Sequence, residues 1–279
     1  MRILVTGSSG QIGSLIVKKL GSTHSVRGID LIPGKHTTHV RSITDRAVLF
    51  PLCKDIDAIV HTASLHAPHI NSHSKDEFVD INIQGTLNLL EAAVEHGIRR
   101  FVYTSTTSLY GYAMVPQKRA VWVSEELVPE PRDIYDITKI AAENLCKLFS
   151  FNHGLSCISL RVSRFFQESD YFMAIYRLYR GIDSRDAADA HILAVHALTE
   201  GYDVFNISAL SPFAEEETEQ LLLDAPGVLI RHFPALDKIF LKRGWKFPQS
   251  IDRVYVTDKA VERLKFNPKF NFEELLKSL

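Results

Sequence analysis

Three glycines, Gly7, Gly10 and Gly13, stand directly after the apolar run Ile3-Leu4-Val5-Thr6 and inside the start of the segment Gln11 to Leu20. That segment places Ile12, Leu15, Ile16 and Leu20 at helical spacing. A strand, a glycine turn and a helix in this order leave few folds open. The first glycine permits a tight turn, the second lets backbone approach a pyrophosphate, and the third lets helix and strand pack closely. The helix N-terminus then offers free N–H groups to phosphate. Asp30 closes a second β-rich run, Ser25 to Asp30. A carboxylate there accepts hydrogen bonds from ribose hydroxyls and repels a 2′-phosphate, which predicts NAD before NADP. Arg27 and Lys35 lie nearby and work against that preference, and a turn aspartate at a strand end is the plainer alternative.

The next elements keep the same rhythm. Ile56 to His61, Phe101 to Tyr103 and Cys157 to Arg161 read as strands. Phe78 to His96, ending at Gly97, and Ile134 to Phe151, ending near Gly154, read as helices. The stretch from Pro33 to Arg46 is polar. Strands alternating with helices predict an α/β fold: a Rossmann-type doubly wound parallel sheet with helices on both faces. After Arg161 the pattern loosens. Tyr171 to Arg180, Ala187 to Leu198, Glu215 to Leu223 and Glu273 to Leu279 look helical, and Val204 to Ile207 looks like a strand. We therefore expect a cofactor-binding domain over 1–162 and a small C-terminal substrate lobe over 163–279 that returns late elements to the sheet.

Composition narrows the class. The chain has 279 residues and a formal net charge of -1, with no lysine- or arginine-rich run, which argues against a nucleic-acid partner. No apolar run approaches the roughly 20 residues that span a bilayer, and no secretory leader is read at the N-terminus. The odd and widely spaced Cys53, Cys146 and Cys157 suit thiols in a reducing, cytoplasmic setting.

Tyr135 and Lys139 are spaced i, i+4 at the start of a helix and share one face. The helix follows a strand that ends in Thr104-Ser105-Thr106-Thr107-Ser108. A lysine ammonium beside a tyrosine favours phenolate. The phenolate can take a proton from a substrate hydroxyl as hydride leaves, while a hydroxyl at the strand end holds the same oxygen.

The segments G-S-S-G-Q-I-G, D-A-I-V-H-T-A, N-I-Q-G-T-L-N-L-L-E-A-A, F-V-Y-T-S-T-T-S-L-Y-G and Y-D-I-T-K occur in the order typical of extended short-chain dehydrogenase/reductases. The chain resembles the NAD-dependent epimerase/dehydratase family, to which UDP-glucose 4-epimerase belongs. The resemblance runs through 1–162 and returns weakly at Arg185 to Ala190. It implies a sugar-type substrate and NAD held by Gly7, Gly10, Gln11, Ile12, Gly13, Asp30, Ala63, Tyr135 and Lys139. It implies catalysis by Thr106, Tyr135 and Lys139, with Ser105 and Thr107 as neighbouring alternatives to Thr106, and places Asn82 near the site. It also implies a homodimer built on the two long helices.

Departures from the family pattern refine this. Dehydratases carry Asp and Glu where this chain has Thr107 and Ser108, which disfavours dehydration. Ser42 stands where an acidic residue usually meets adenine. The segment from Arg161 to Asp186 is short, and Arg164 replaces a common asparagine. A guanidinium there can grip a carboxylate, although pairing with Glu168 or Asp170 is the plainer reading. This economy resembles uronate dehydrogenases and points to a small, anionic substrate. His66, His69 and His73 lack a completing carboxylate or thiol, so no metal is expected; His66 is a candidate substrate contact. Three readings stay open: an epimerase-type enzyme, a dehydrogenase of a small sugar or sugar acid, and a non-catalytic NAD-binding regulator.

Overall fold

Neighbouring side chains of the first strand point into two different cores, and this alternation organises the molecule. The structure is a computed structural model describing residues 1–197 and 199–278. Its strands are β1 (Arg2–Thr6), β2 (Ser25–Asp30), β3 (His39–Val40), β4 (Ala58–His61), β5 (Arg100–Thr106), β6 (Val121–Val123), β7 (Ser156–Val162), β8 (Tyr202–Ile207) and β9 (Arg253–Tyr255). Its helices are α1 (Gln11–Leu20), α2 (Arg46–Cys53), α3 (Lys75–Val79), α4 (Gly85–Glu95), α5 (Ile134–His153), α6 (Asp170–Tyr179), α7 (Ser184–His196), α8 (Thr218–Leu223), α9 (Ala225–His232), α10 (Leu236–Arg243), α11 (Asp258–Leu264) and α12 (Phe272–Ser278).

Seven strands form one sheet in the order β3-β2-β1-β4-β5-β7-β8, and every pairing is parallel. Ile3 and Val5 face one core with Val60, Val102 and Leu160; Leu4 faces the other with Ile59, Phe101 and Cys157. The first core is closed by α1, α7 and α11, the second by α2, α4 and α5. Burial on both faces is why these strands are continuous apolar runs. The order reverses between β1 and β4, and at such a switch the loops after the strand ends part to leave a crevice.

Two features of this architecture lie beyond the sequence pattern. The helical stretch from Lys75 to Glu95 is interrupted by a π turn over Asp80–Gln84, which carries Asn82. β6 and β9 form a separate parallel pair in the lobe. There α6, α8, α9 and α10 bury Leu178, Leu221, Leu229 and Phe240 in a third core. The elements α2, α9, α10 and α11 had no sequence expectation. The helices expected to reach Leu198 and Leu279 end at His196 and Ser278, and both leucines lie outside the described residues.

A buried ion pair ties α5 to the sheet. Arg161 of β7 donates from Nε and Nη2 to the two Glu143 oxygens at 3.0 and 2.8 Å. Its Nη1 donates to the Tyr110 hydroxyl, which donates to Asn206 Oδ1. Removing one member strands a buried charge. Glu143→Leu is expected to cost about 3–5 kcal/mol. The double variant Arg161→Leu/Glu143→Leu should cost clearly less, as measured by urea unfolding.

Candidate active site

The expected cofactor turn is built by backbone contact. Gly7 ends β1 with φ +72°. A Cβ on Gly13 would stand 2.0 Å from the Gly7 carbonyl oxygen, and one on Gly7 would strike the backbone of Ala63 at 2.8 Å. Gly10 caps α1 with no side-chain hydrogen bond to the first turn. The amides of the first turn are therefore left to an incoming anion. The Asp30 carboxylate accepts from Ser9 N and Ile32 N at 2.9 and 3.0 Å, which fixes it beside the turn. The Thr37 hydroxyl bonds both Ser8 Oγ and Ser9 Oγ and pins the loop after β2 to the same place. These features fit an adenosine ribose and a pyrophosphate.

A cleft of about 650 Å³ runs from this turn across the ends of β4, β5 and β7. Gly7, Gly10, Gln11, Ile12, Gly13, Asp30, Ala63, His66, Thr106, Tyr135, Lys139 and Arg164 all line it. Ser42 lines it too, its hydroxyl bonded to Thr44. Asn82 lies behind the wall. Its side chain donates to Leu65 O and Thr138 Oγ1 and accepts from Leu65 N, linking α5 to the loop after β4.

Tyr135 and Lys139 occupy the first turns of α5, started by the Asp133 cap on Asp136 N. Burial drives the Tyr135 phenol well above its ordinary value, and hydrogen bonding from Thr106 opposes this. Thr106 Oγ1 accepts from Ser108 N at 3.1 Å. Its proton is the one that serves Tyr135. Ser105 and Thr107 are buried on the neighbouring sides, and the Ser105 hydroxyl has no partner among the described residues. Lys139 Nζ donates to Thr104 O at 2.6 Å and lies over the Tyr103 ring. Burial lowers its pKa to about 7 despite the opposing Glu143 carboxylate.

The histidines do not gather a metal. His66 faces the cleft, and burial with the nearby Lys139 charge lowers it to about 4, so it is neutral. His69 stacks on His66 and His73 packs on His69, outside the cleft. Among the described residues no group of three His, Cys, Asp or Glu is placed to hold a metal ion. Arg164 is at the cleft edge with its guanidinium engaged by Glu168. Sequence reading missed Arg132, Arg180, Arg253 and Tyr255, which also line the cleft. Arg132 precedes α5, Arg180 caps α6, and Arg253 and Tyr255 lie on the short strand β9, whose three residues are too few to announce a site.

The family model for the NAD dependent epimerase/dehydratase family matches residues 3–173. This chain belongs to that family, and its cofactor is NAD. It is 33% identical over 183 residues to the uncharacterized UDP-glucose epimerase YtcB of Bacillus subtilis, covering 58% of this chain and 55% of that protein. It is 24% identical over 174 residues to the uronate dehydrogenase of Pseudomonas putida, covering 60% of this chain and 62% of that protein. The chain thus spans little more than half the length of these curated relatives. The fold is also that of the Thermotoga maritima UDP-glucose 4-epimerase solved with UDP-glucose: TM-score 0.74 at 22% identity, over 99% of this chain and 96% of that one. No helix among the described residues is long and apolar enough to cross a membrane.

Two outcomes follow from this geometry. Gly13→Ala forces its Cβ into the Gly7 carbonyl, so calorimetric titration should show NAD affinity lost and the melting temperature lowered. Lys139 gives up its proton near pH 7 when folded, against 10.5 when free. Between those values the unfolded chain holds the extra proton, so stability rises with pH. Lys139→Met should therefore raise the melting temperature of the cofactor-free protein most at pH 6. The gain should shrink towards pH 10, and a gain constant with pH would contradict a buried, titrating amine.

Proposed function

We propose that the chain catalyses reversible hydride transfer at a carbinol carbon of a sugar-type substrate. The observation that carries this reading is the meeting of Thr106, Tyr135 and Lys139 in the cleft that also holds Gly7, Gly10, Gly13 and Asp30. NAD, when bound, supplies the hydride acceptor. The first turn of α1 holds the pyrophosphate, Asp30 the adenosine ribose and Lys139 the nicotinamide ribose, with Ala63 against the cofactor. Thr106 donates to the substrate oxygen and Tyr135 takes its proton. The Lys139 ammonium favours the phenolate electrostatically. Thr107 and Ser108 offer no carboxylate for loss of water, so the reaction is hydride transfer without dehydration.

A second reading is net oxidation of a small sugar or sugar acid. The compact stretch between β7 and α7, a single helix and its loops, favours it, as does the likeness to a uronate dehydrogenase. Incubation with NAD separates the two. Net NADH formation with free sugars or uronates marks a dehydrogenase; isomerised UDP-sugar without NADH marks an epimerase. His66 lines the cleft, which supports its reading as a substrate contact. The exposed Ile137, Leu148 and Phe151 lie along one face of α5 and supply the surface for a homodimer. The three cysteines are buried free thiols, which suits a cytoplasmic protein.

Tyr135→Phe is expected to lower kcat by about 10²–10⁴-fold while leaving NAD affinity intact. Because burial raises the phenol, kcat/KM for oxidation should climb through the alkaline range and fall as pH drops, in a steady-state pH profile. Unchanged turnover in Tyr135→Phe would overturn the assignment.

A further inference from the structure

The chain carries a formal charge of -1, yet its cleft is lopsided. Six basic side chains line it (Arg41, Arg132, Lys139, Arg164, Arg180 and Arg253) against a single carboxylate, Asp30. Asp30 belongs to the cofactor end, at the tip of β2. Away from that end, the arginines differ in one respect. Arg132 pairs with Asp136, Arg164 with Glu168 and Arg253 with Asp252. Among the described residues no carboxylate pairs with Arg180. Its guanidinium instead stacks over the rings of Tyr176 at 4.6 Å and Tyr179 at 5.9 Å.

The backbone fixes where Arg180 stands. Arg164 N donates to Arg180 O at 3.3 Å, and Ile182 N donates to Arg164 O at 2.9 Å. This bridge holds Arg180 beside the chain leaving β7. The last residue of β7, Val162, is in register with Thr106. The unpaired guanidinium is therefore on the far side of the catalytic hydroxyls from Asp30. Stacking on two aromatic rings restricts its rotamers, which lowers the ordering cost of binding. A cleft with one sign of charge and apolar walls concentrates that field.

We infer that Arg180 is the anion receptor of the substrate end, gripping a carboxylate or a phosphate carried by the sugar. The chain's sequence drew attention to Arg164 for this task, but Glu168 already neutralises it. The inference rests on the function proposed above, and a binding measurement tests it separately from turnover.

The full-length protein is saturated with NADH, which prevents oxidation of an alcohol, and titrated calorimetrically with glucuronate, glucose 1-phosphate and glucose. One of the two anions should bind at least tenfold more tightly than glucose, and which one it is identifies carboxylate or phosphate. Arg180→Gln should weaken that anion by about 10–100-fold, the range for a lost charge-assisted contact. The same variant should change glucose and NADH affinity less than twofold, and Arg180→Lys should restore part of the loss. Equal binding of all three sugars, no measurable binding of either anion, or an equal effect of Arg180→Gln on anion and glucose would each overturn the inference. Anion discrimination without turnover under NAD would count against the proposed reaction and not against Arg180. Turnover without discrimination would do the reverse.

Discussion

The first turn of α1 rests directly on the carbonyl of Gly7, and the working parts of the molecule depend on that contact. No side chain fits between them. The helix can therefore begin at the very tip of the central strand, with its uncapped amides over the point where the strand order reverses. The same approach lays Ile12 and Ile16 onto the sheet beside Val5 and Val60, so cofactor cradle and core are made by one piece of chain. Glycine here costs conformational entropy in the unfolded chain, and burial along α1 offsets it.

Around that cradle the chemistry is set by exclusion of water. Tyr135 and Lys139 are both almost fully buried, and burial acts on them in opposite senses: it raises the phenol and lowers the ammonium, in each case favouring the neutral form. In the cofactor-free protein burial therefore draws both members of the pair towards their neutral forms. Arg161 satisfies Glu143 one turn further along α5. Without that partner the carboxylate would hold Lys139 more firmly protonated.

The sequence read well where local rules dominate. α1 and β2 run over the expected residues because glycine, apolar spacing and a strand-end aspartate mark them directly. α5 extends two residues beyond the expected Phe151, up to Gly154 with φ +67°. Elsewhere tertiary packing decides. α2 carries Pro51 and starts in a polar stretch, which hides it. The π turn before α4 barely disturbs the apolar spacing, so nothing in the periodicity announces it. The Tyr135–Lys139 pair was legible because both partners lie on one helix. Arg180 and the β9 pair Arg253 and Tyr255 were not, since α6 and β9 meet at the cleft only in three dimensions. Of the two readings of Arg164, the plainer one describes the structure: its i, i+4 neighbour Glu168 takes the guanidinium.

Elements from beyond residue 162 complete the first core: Ala187, Ala190 and Ala194 of α7 and Phe205 of β8 pack with Ile3 and Ile16. A line at residue 162 thus does not divide the hydrophobic interior. Whatever stabilises the glycine turn also stabilises the elements beyond residue 162 that pack into the same core. Ligand bound at the turn shifts the folding equilibrium of all of them by mass action. NAD occupancy and the integrity of the elements beyond residue 162 are in this sense one thermodynamic variable.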